Sequence, residues 1–327
     1  MTAFLRLKSR SSCSRARVGV LILAFVTLST LVSVAAADER NASPDLEEVS
    51  KKLDNPFSDL WLLYVENDVG FYRGFPTRST KVINTVLLNP VLTFPLMDEW
   101  TLITRPAVPI VSAPKPQLTG TFGAFPDQFP SAGFGGIAGN VKTDRQTELG
   151  DISLPFNVAA PLIDVPGTDG QIFTAAGAIV VFPTASDDFF GSERFSLGPA
   201  AAAGYLGEKW VFGLTLQHWK DVAGENDVPS VHMSSFQYFI SYKLPDFWSI
   251  GTGPDVLVNW EADDDNKLTF PIGLSINKTM LIGGVLPVRA GISGEYSVVH
   301  PDDFGQRWMI KASLSVVVPS PFGSLVP

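Results

Sequence analysis

The sequence predicts an all-β fold, a transmembrane antiparallel up-and-down β-barrel of about twelve strands with both chain termini in the periplasm. Three observations predict it: an N-terminal export signal, side chains that alternate between apolar and polar with a period of two, and connections that alternate between short and long. The mean hydropathy of +0.19 is high, yet after the export signal no run reaches the roughly 18 apolar residues of a membrane helix. Hydrophobicity is therefore spread over short segments.

The export signal occupies residues 1–37. Basic residues without an acidic one come first, the apolar run 18–34 follows, and three alanines at 35–37 precede Asp38. This order is typical of a secretory signal peptide. A membrane anchor is the alternative, but the run is short for a spanning helix and small residues stand where cleavage would occur. We expect cleavage after Ala37 and a location in the cell outer membrane.

Composition excludes several classes of function. The formal net charge is −9, and it becomes more negative once the basic leader is removed, so nucleic acid is a poor candidate partner. The single cysteine, Cys13, leaves with the signal peptide, which excludes disulfides and cysteine-bound metals from the mature chain. We expect no cofactor, and we expect outer-membrane lipids and lipopolysaccharide as partners.

Strands are predicted from the alternation, which is cleanest in the C-terminal half. In residues 235–244, apolar side chains at 236, 238, 240 and 242 oppose Gln237 and Ser241, so we expect the former to face lipid and the latter the lumen. A soluble sandwich would alternate in the same way, but segments of about ten residues or more suit a tilted membrane crossing better. The predicted strands are 60–72, 80–95, 99–112, 148–160, 171–183, 194–205, 209–220, 231–244, 248–261, 267–279, 287–299 and 307–319.

The connections, tryptophans and prolines refine this prediction. Tight links at 96–98, 206–208 and 245–247 alternate with polar loops at 186–193, 221–229, 262–266 and 301–306, as in outer-membrane barrels. Tryptophans collect where membrane interfaces are expected: Trp61, Trp100, Trp210 and Trp248 at the periplasmic end, and Trp219, Trp260 and Trp308 at the external end. Parity turns Trp219 inward unless a bulge intervenes. Bulges or bends are expected at several of the prolines that fall inside predicted strands.

The barrel is predicted to span residues 58–320, and a C-terminal tail (321–327) follows it. Two further segments are not part of its strands: one precedes the barrel and one interrupts it. Residues 38–57 have apolar residues at helical spacing, which predicts a short amphipathic periplasmic helix. Residues 113–147 form a long loop rich in glycine, proline and phenylalanine, which folds into the lumen or lies over the outer mouth. Burial of its aromatic rings favours a constriction, and burial of the rings in the outer leaflet or against a partner chain is the alternative. The candidate constriction residues are Phe122, Phe125, Phe129 and Phe134.

Several stretches of the chain resemble a known family. They are NPFSDLWLLYVEND, LLNPVLTFPLMDEWTLITRP, FPTASDDFFGSERFSLGPAA, GEKWVFGLTLQHW, NWEADDDNKLTFPIGLSINK and HPDDFG, and they cover most of residues 55–305. The string from Asn259 to Lys278 is the most specific. These stretches are similar to bacterial outer-membrane proteins labelled transporters or, misleadingly, neuromedin U, akin to barrels encoded with phenol-degradation pathways. The resemblance implies an outer-membrane barrel with a transport role and supplies no catalytic or substrate-binding motif.

The lumen is the candidate site. Its inward face is predicted to carry charges of both signs, which argues against a strongly selective filter. The candidate lumen-lining residues are Arg105, Gln217, Gln237, Lys243, Asn259, Glu261, Lys267, Asn277, Arg289, Glu295, Arg307 and Lys311. The function predicted from this face is a non-enzymatic passive channel for small solutes, hydrophobic or aromatic ones included. A closed structural barrel is the alternative.

Two other constellations carry weaker hypotheses. Acidic clusters at the predicted outer ends either concentrate Ca²⁺ or Mg²⁺ or are ordinary solvated turn residues. They comprise Asp187, Asp188, Asp221, Glu225, Asp227, Glu261, Asp263, Asp264, Asp265, Asp302 and Asp303. His232 and Ser234 share the outward parity, where a histidine could activate a serine in a phospholipase-like enzyme. Alternate residues on a strand are common, however, and no orienting carboxylate or amide is evident from sequence, so we expect both residues to be dispensable.

Overall fold

The computed structural model describes residues 46–54, 58, 60–74, 79–97, 99–116, 143–224, 227–318 and 320. In this part of the chain, one α-helix, α1 (Leu46–Asp54), precedes an antiparallel sheet of seventeen strand segments. They are β1 (Trp61–Arg73), β2 (Lys81–Leu88), β3 (Leu92–Pro95), β4 (Thr101–Thr104), β5 (Val108–Pro116), β6 (Thr143–Leu149), β7 (Ile152–Ala159), β8 (Ile163–Asp164), β9 (Gln171–Phe182), β10 (Arg194–Leu206), β11 (Trp210–Gly224), β12 (His232–Lys243), β13 (Trp248–Thr252), β14 (Asp255–Asn259), β15 (Leu268–Ile282), β16 (Leu286–Val299) and β17 (Gly305–Val318). The predicted signal peptide and C-terminal tail lie outside the described residues.

The sheet closes on itself through its first strand. β1 pairs with β2 on one side and with β17 on the other, and the β1–β17 register places Trp61 opposite Val318. Neighbouring segments pair in antiparallel fashion around the sheet, so the predicted all-β up-and-down barrel is confirmed. None of the helices in the described part of the chain has the length and apolar character needed to cross a bilayer.

Four predicted strands are each divided into two segments. The divided strands are 80–95 (β2 and β3), 99–112 (β4 and β5), 148–160 (β6 and β7) and 248–261 (β13 and β14). Pro90, Pro106 and Pro254 lie in three of the gaps, because proline donates no hydrogen bond to a ladder. Pro271 stays inside β15, where the register shifts next to Phe270. Bends and bulges are therefore present at prolines, as predicted.

The outer surface of the barrel is apolar. Ile272, Leu274 and Ile276 on β15 are 48%, 62% and 42% exposed, and the side chain of Ile240 on β12 is 44% exposed. The alternate positions Asn277, Gln237 and Ser241 line an internal cavity. This is the sidedness that the alternation predicts, and contact of the outer face with lipid stays a prediction. A water-soluble barrel would present the opposite arrangement, with polar residues outside.

The two ends of the barrel differ. We call the end where residues 96–100, 207–209, 244–247 and 283–285 connect strands the turn end, and the opposite end, with connections 183–193, 260–267 and 300–304, the loop end. Helix α1 lies at the turn end, where Val49 is buried against Leu60 and the inward residue Val317. Exposed tryptophans occur at both ends: Trp100, Trp210 and Trp248 at the turn end, and Trp260 and Trp308 at the loop end. Trp219 points inward and is buried, as its parity predicts.

Two predicted loops begin later than expected. The predicted loop 113–147 is partly strand, since β5 and β6 remain paired as far as Pro116 opposite Thr143. Residues 144–147 of this hairpin are exposed, and their polar character concealed the strand because a hairpin surrounded by water needs no apolar face. β11 likewise continues to Gly224, through residues predicted as loop. The candidate constriction residues Phe122, Phe125, Phe129 and Phe134 lie outside the described residues.

Candidate functional site, a chamber inside the barrel

The barrel encloses a cavity of about 550 Å³, which we call the chamber. Inward side chains of β1, β15, β16 and β17 give it a charged wall, formed by Glu66, Asn277, Arg289, Glu295 and Lys311. Much of the remaining lining is apolar, and we call it the apolar wall. It comes from inward side chains of β4, β9, β10 and β11 and from Val91, the bridge residue just before β3, with the polar Thr215 and Gln217 among them on β11. Its apolar members are Val91, Ile103, Ile179, Val181, Ala200, Ala202, Val211 and Trp219. The chamber is therefore amphipathic.

The charged wall is centred on Lys311 of the last strand. Its ammonium nitrogen lies 3.2 Å from Oε1 of Glu295, and the two side chains are only 14% and 6% exposed. Glu66, Asp68 and Asp255 are also close enough to interact with this ammonium group. Asp68 stands directly opposite Lys311 where β1 meets β17. One lysine thus holds together several carboxylates at the seam that closes the barrel.

Several polar atoms around the chamber have no hydrogen-bond partner among the described residues. Among the described residues, buried atoms without a hydrogen bond include Oδ1 of Asp68, Oδ1 of Asn89, Nε of Arg105, Oδ1 of Asn157 and Oγ of Ser241. Buried polar groups in folded proteins are nearly always paired, with protein or with ordered water. These atoms therefore require water or a polar solute inside the barrel.

The apolar wall is backed by tightly packed residues. Phe173 on β9 is 1% exposed and stacks on Phe239 of β12, with ring centroids 6.3 Å apart and planes 10° from parallel. Ala175 and Ala202 complete the same buried cluster. Small inward residues on β9 and β10 leave space for the chamber, because bulky side chains there would fill it.

The loop end is narrowed by residues 183–193. This segment turns its aromatic residues Phe189 and Phe190, 4% and 0% exposed, onto the inward residues Tyr72, Val111 and Ala113. Folding of the loop into the mouth therefore buries two large rings, each worth roughly 1.5–3 kcal/mol. The loop 183–193 is a constriction at the loop end that sequence reasoning missed.

Polar contacts hold this loop in place. Nζ of Lys115 donates to both carboxylate oxygens of Asp187 at 2.6 Å. Asp151 accepts hydrogen bonds from the backbone N–H groups of Ala185 and Ser192 and from the Ser192 hydroxyl. Burial alone would raise the pKa of Asp187, but the hydrogen bonds from Lys115 and from the Phe189 N–H outweigh it and hold that pKa below its usual value of 3.8.

The predicted lumen-lining residues divide into two groups. Those that line the chamber are Arg105, Gln217, Gln237, Asn277, Arg289, Glu295 and Lys311. Those that do not are Lys243, Asn259, Glu261, Lys267 and Arg307.

The residues of the second group lie at or just beyond the strand ends. Lys243 donates to the Gly207 carbonyl at the turn end, and Arg307 contacts His300 at the loop end. Glu261 follows the end of β14, where the alternation stops and its N–H donates to Oδ1 of Asn259. Glu261 and Lys267 stand beyond the end of β14, where strand parity no longer sets direction. Lys243, Asn259 and Arg307 stand inside strands, and Asn259 lies opposite the buried, inward Met233 without lining the chamber.

The histidine–serine hypothesis is also corrected. Ser234 contacts His218 of the neighbouring strand, with 2.8 Å between Oγ and Nδ1, rather than His232. Ser234 is 3% exposed, and its Oγ accepts a further hydrogen bond from the indole of Trp260 at 2.8 Å. Sequence could not reveal this pairing, because it depends on the register between β11 and β12.

The acidic clusters do not converge on one point in the described part of the chain. There, no group of three or more histidine, cysteine, aspartate or glutamate side chains is placed to share a metal ion. Two of the acids instead pair with lysines: Asp187 with Lys115 and Asp264 with Lys267, both at 2.6 Å. The hydrogen bond from Lys267 lowers the pKa of Asp264, which is exposed.

Comparisons with known proteins bear on the fold. No known family model and no curated relative matches the sequence. Among solved structures, an outer membrane channel from Pseudomonas putida is similar, with a TM-score of 0.54 and 14% identity over 79% of this chain and 94% of that one. The NanC porin (TM-score 0.43, 8% identity, 78% and 100% covered) and the Pseudomonas putida toluene transporter TodX (0.36, 8%, 82% and 93%) also match. The first likeness, at this identity, shows a shared barrel fold and no more.

Proposed function

We propose that this protein is a non-enzymatic channel of the outer membrane that passes small solutes with an aromatic or other apolar part. The observation that carries the proposal is the amphipathic chamber inside a barrel whose outer surface is apolar. An apolar exterior suits lipid, and the unpaired polar atoms inside call for water or a polar solute. The similar fold of a solved outer membrane channel is consistent with this role.

The apolar wall gives the proposal its solute class. A planar solute would rest on Trp219 and the aliphatic residues around it, while its polar group would meet Arg289, Lys311 or Glu295 across the chamber. Placing each part of such a solute against a like surface leaves neither apolar area in water nor polar atoms unpaired. A fully hydrated sugar would gain nothing from the apolar wall.

Export and placement belong to the same proposal. Residues 1–37 act as the signal peptide, the turn end faces the periplasm, and the partners are outer-membrane lipids and lipopolysaccharide. We also assign the chain to the barrel family that its sequence resembles. Cysteine labelling tests the placement: in liposomes, a water-soluble maleimide should react at positions 237 and 241 and spare positions 238 and 240. Equal reaction at all four would contradict a membrane-embedded barrel.

A planar-bilayer measurement tests the channel itself. The refolded chain from residue 38 onward should give discrete conductance steps, and liposomes that contain it should admit an aromatic carboxylate such as benzoate faster than a pentose. Correctly folded barrels, judged by heat-modifiable gel migration, that admit neither solute would overturn the channel proposal.

That negative result would instead support a closed structural barrel. The covered ends favour this second candidate, since Phe190 is buried at the loop end and Val49 at the turn end. Replacing both with alanine separates the two functions. A channel should gain conductance from wider mouths, whereas a barrel closed along its length should stay silent.

A further inference from the structure

Outside the chamber, two histidines meet on the outer face of the barrel near the loop end. His218 on β11 and His232 on β12 share the parity of the exposed residues Phe212 and Ile240, so they point away from the lumen. The sheet register places His218 opposite Ser234 and His232 opposite Lys220, which makes the two histidines diagonal neighbours. Nothing in the channel proposal uses them.

The two imidazole rings approach each other through the same atom. Nε2 of His218 lies 3.3 Å from Nε2 of His232. The ring centroids are 5.0 Å apart and the ring planes differ by 79°. If both Nε2 atoms lay on the line between the centroids, the centroids would be farther apart than this. The two Nε2 atoms are thus inclined toward a point beside the line that joins them.

The second nitrogen of each ring already faces a protein oxygen. Nδ1 of His218 lies 2.8 Å from Oγ of Ser234, and Nδ1 of His232 lies 3.7 Å from Oε1 of Glu261. Trp260 fixes the serine by donating to it, because an indole N–H can only donate. With a proton on each Nδ1, directed at these oxygens, both Nε2 lone pairs are available to a shared ligand.

The geometry points to a two-histidine site for a divalent transition metal of the copper, zinc and nickel class. A tetrahedral ion bound at about 2.0–2.1 Å by two imidazoles holds their nitrogens about 3.3–3.4 Å apart, which matches the observed spacing. Metal-binding histidines characteristically direct the other ring nitrogen to a carboxylate or another oxygen. His218 does so through Ser234, and the carboxylate of Glu261 lies 3.7 Å from Nδ1 of His232. Imidazole favours these metals, with Cu²⁺ the tightest, over Ca²⁺ or Mg²⁺.

The surroundings leave the site accessible. The side chains of His232 and Glu261 are 29% and 43% exposed, and Glu261 belongs to the polar connection 260–267 at the loop end. The site therefore lies at the edge of the apolar belt, where water can fill the remaining coordination positions. Lys220 is exposed, and solvent screens its repulsion of a cation. Acyl transfer by Ser234 fits less well, since that hydroxyl is buried and already accepts from Trp260.

Titration of the untagged, refolded barrel with Cu²⁺ and with Zn²⁺ tests the site. We expect one ion per barrel by calorimetry and, for Cu²⁺, hyperfine splitting from two imidazole nitrogens in the electron paramagnetic resonance spectrum. H218A or H232A should weaken binding by about tenfold or more, because each removes one of two nitrogen ligands. S234A should have a smaller effect, up to about tenfold, through the orientation of His218.

His300 supplies the matched control, since it is the third histidine of the chain and contacts Arg307 instead. H300A should bind as the unaltered protein does. Binding that survives in the H218A/H232A double variant, or that is lost in H300A, would overturn the site, as would failure of the folded protein to bind either ion. If an alanine variant does not refold, H218Q and H232Q replace it, because glutamine keeps polarity and bulk without an imidazole.

Discussion

The charged and apolar walls of the chamber face the same space but follow different sequence rules. In β15 and β17, inward Asn277 and Lys311 alternate with outward Ile276 and Ile310, so polarity and direction coincide. In β9 and β10, the inward residues other than Ser196 are mostly apolar as well, and the strands read as nearly continuous apolar runs. The polarity of a side chain therefore predicts whether it points inward only where the lumen wall is polar. Where the wall is apolar, the alternation along the paired strands decides which side chains point inward.

The charged wall should respond most strongly to the loss of its lysine. Lys311→Met leaves Glu295, Glu66 and their neighbours without the cation between them, and an uncompensated buried charge costs about 3–5 kcal/mol. We expect a clear loss of thermal stability, followed by heat-modifiable migration, and a shift of the reversal potential toward cation selectivity.

Glu295→Gln is the control for this change. It removes one carboxylate from a group that interacts with Lys311, so the lysine keeps the other carboxylates and the stability loss should be smaller. Equal losses in the two variants would show that the Lys311–Glu295 pair acts alone rather than as the centre of the wall.

The apolar wall should control passage without altering charge selectivity. Ala200 points into the chamber, and the adjacent Ala201 is exposed on the outer face. Ala200→Leu should slow the entry of benzoate severalfold and cost up to about 1–3 kcal/mol where the added methyls crowd their neighbours. Liposome uptake assays and reversal potentials measure the two effects.

Ala201→Leu offers the same increase in volume on the lipid side. We expect normal uptake from it, because the outer face is already apolar. If both variants slowed uptake alike, the apolar wall would have no special part in passage, and the solute class proposed above would fail.

Much of this architecture could be predicted from the sequence, and the reasons are local. Alternation located the strands and turned Gln237 and Ser241 inward, because a strand reverses side-chain direction at every residue. Parity also placed Trp219 inside. Prolines marked where crossings bend, since each removes a ladder hydrogen bond.

The parts that escaped prediction depend on contacts between distant segments. Phe189 and Phe190 stand in a polar stretch, and only their packing on Tyr72 and Val111 makes them a constriction. Two adjacent aromatic residues inside a polar loop were the one available signal. The His218–Ser234 contact was hidden for a similar reason, because it needs the register of two strands joined by a loop.

The smallest expected effect concerns the mouth that both walls share. Asp187 clamps loop 183–193 to Lys115, and its pKa in the folded protein lies below the usual 3.8. A depressed pKa means that the clamp contributes full stability above pH 4 and loses it as pH falls through the folded value. The pair is partly exposed, so we expect it to stabilise the loop by only about 0.2–1 kcal/mol. Channel conductance should therefore rise and become noisier below about pH 4.

Asp187→Asn should show this behaviour already at pH 7 and lose most of the pH dependence. Asp188→Asn is the matched control, because that neighbouring side chain is exposed, and it should leave both conductance and pH response unchanged. A pH response that persists in Asp187→Asn would assign the gating to another carboxylate.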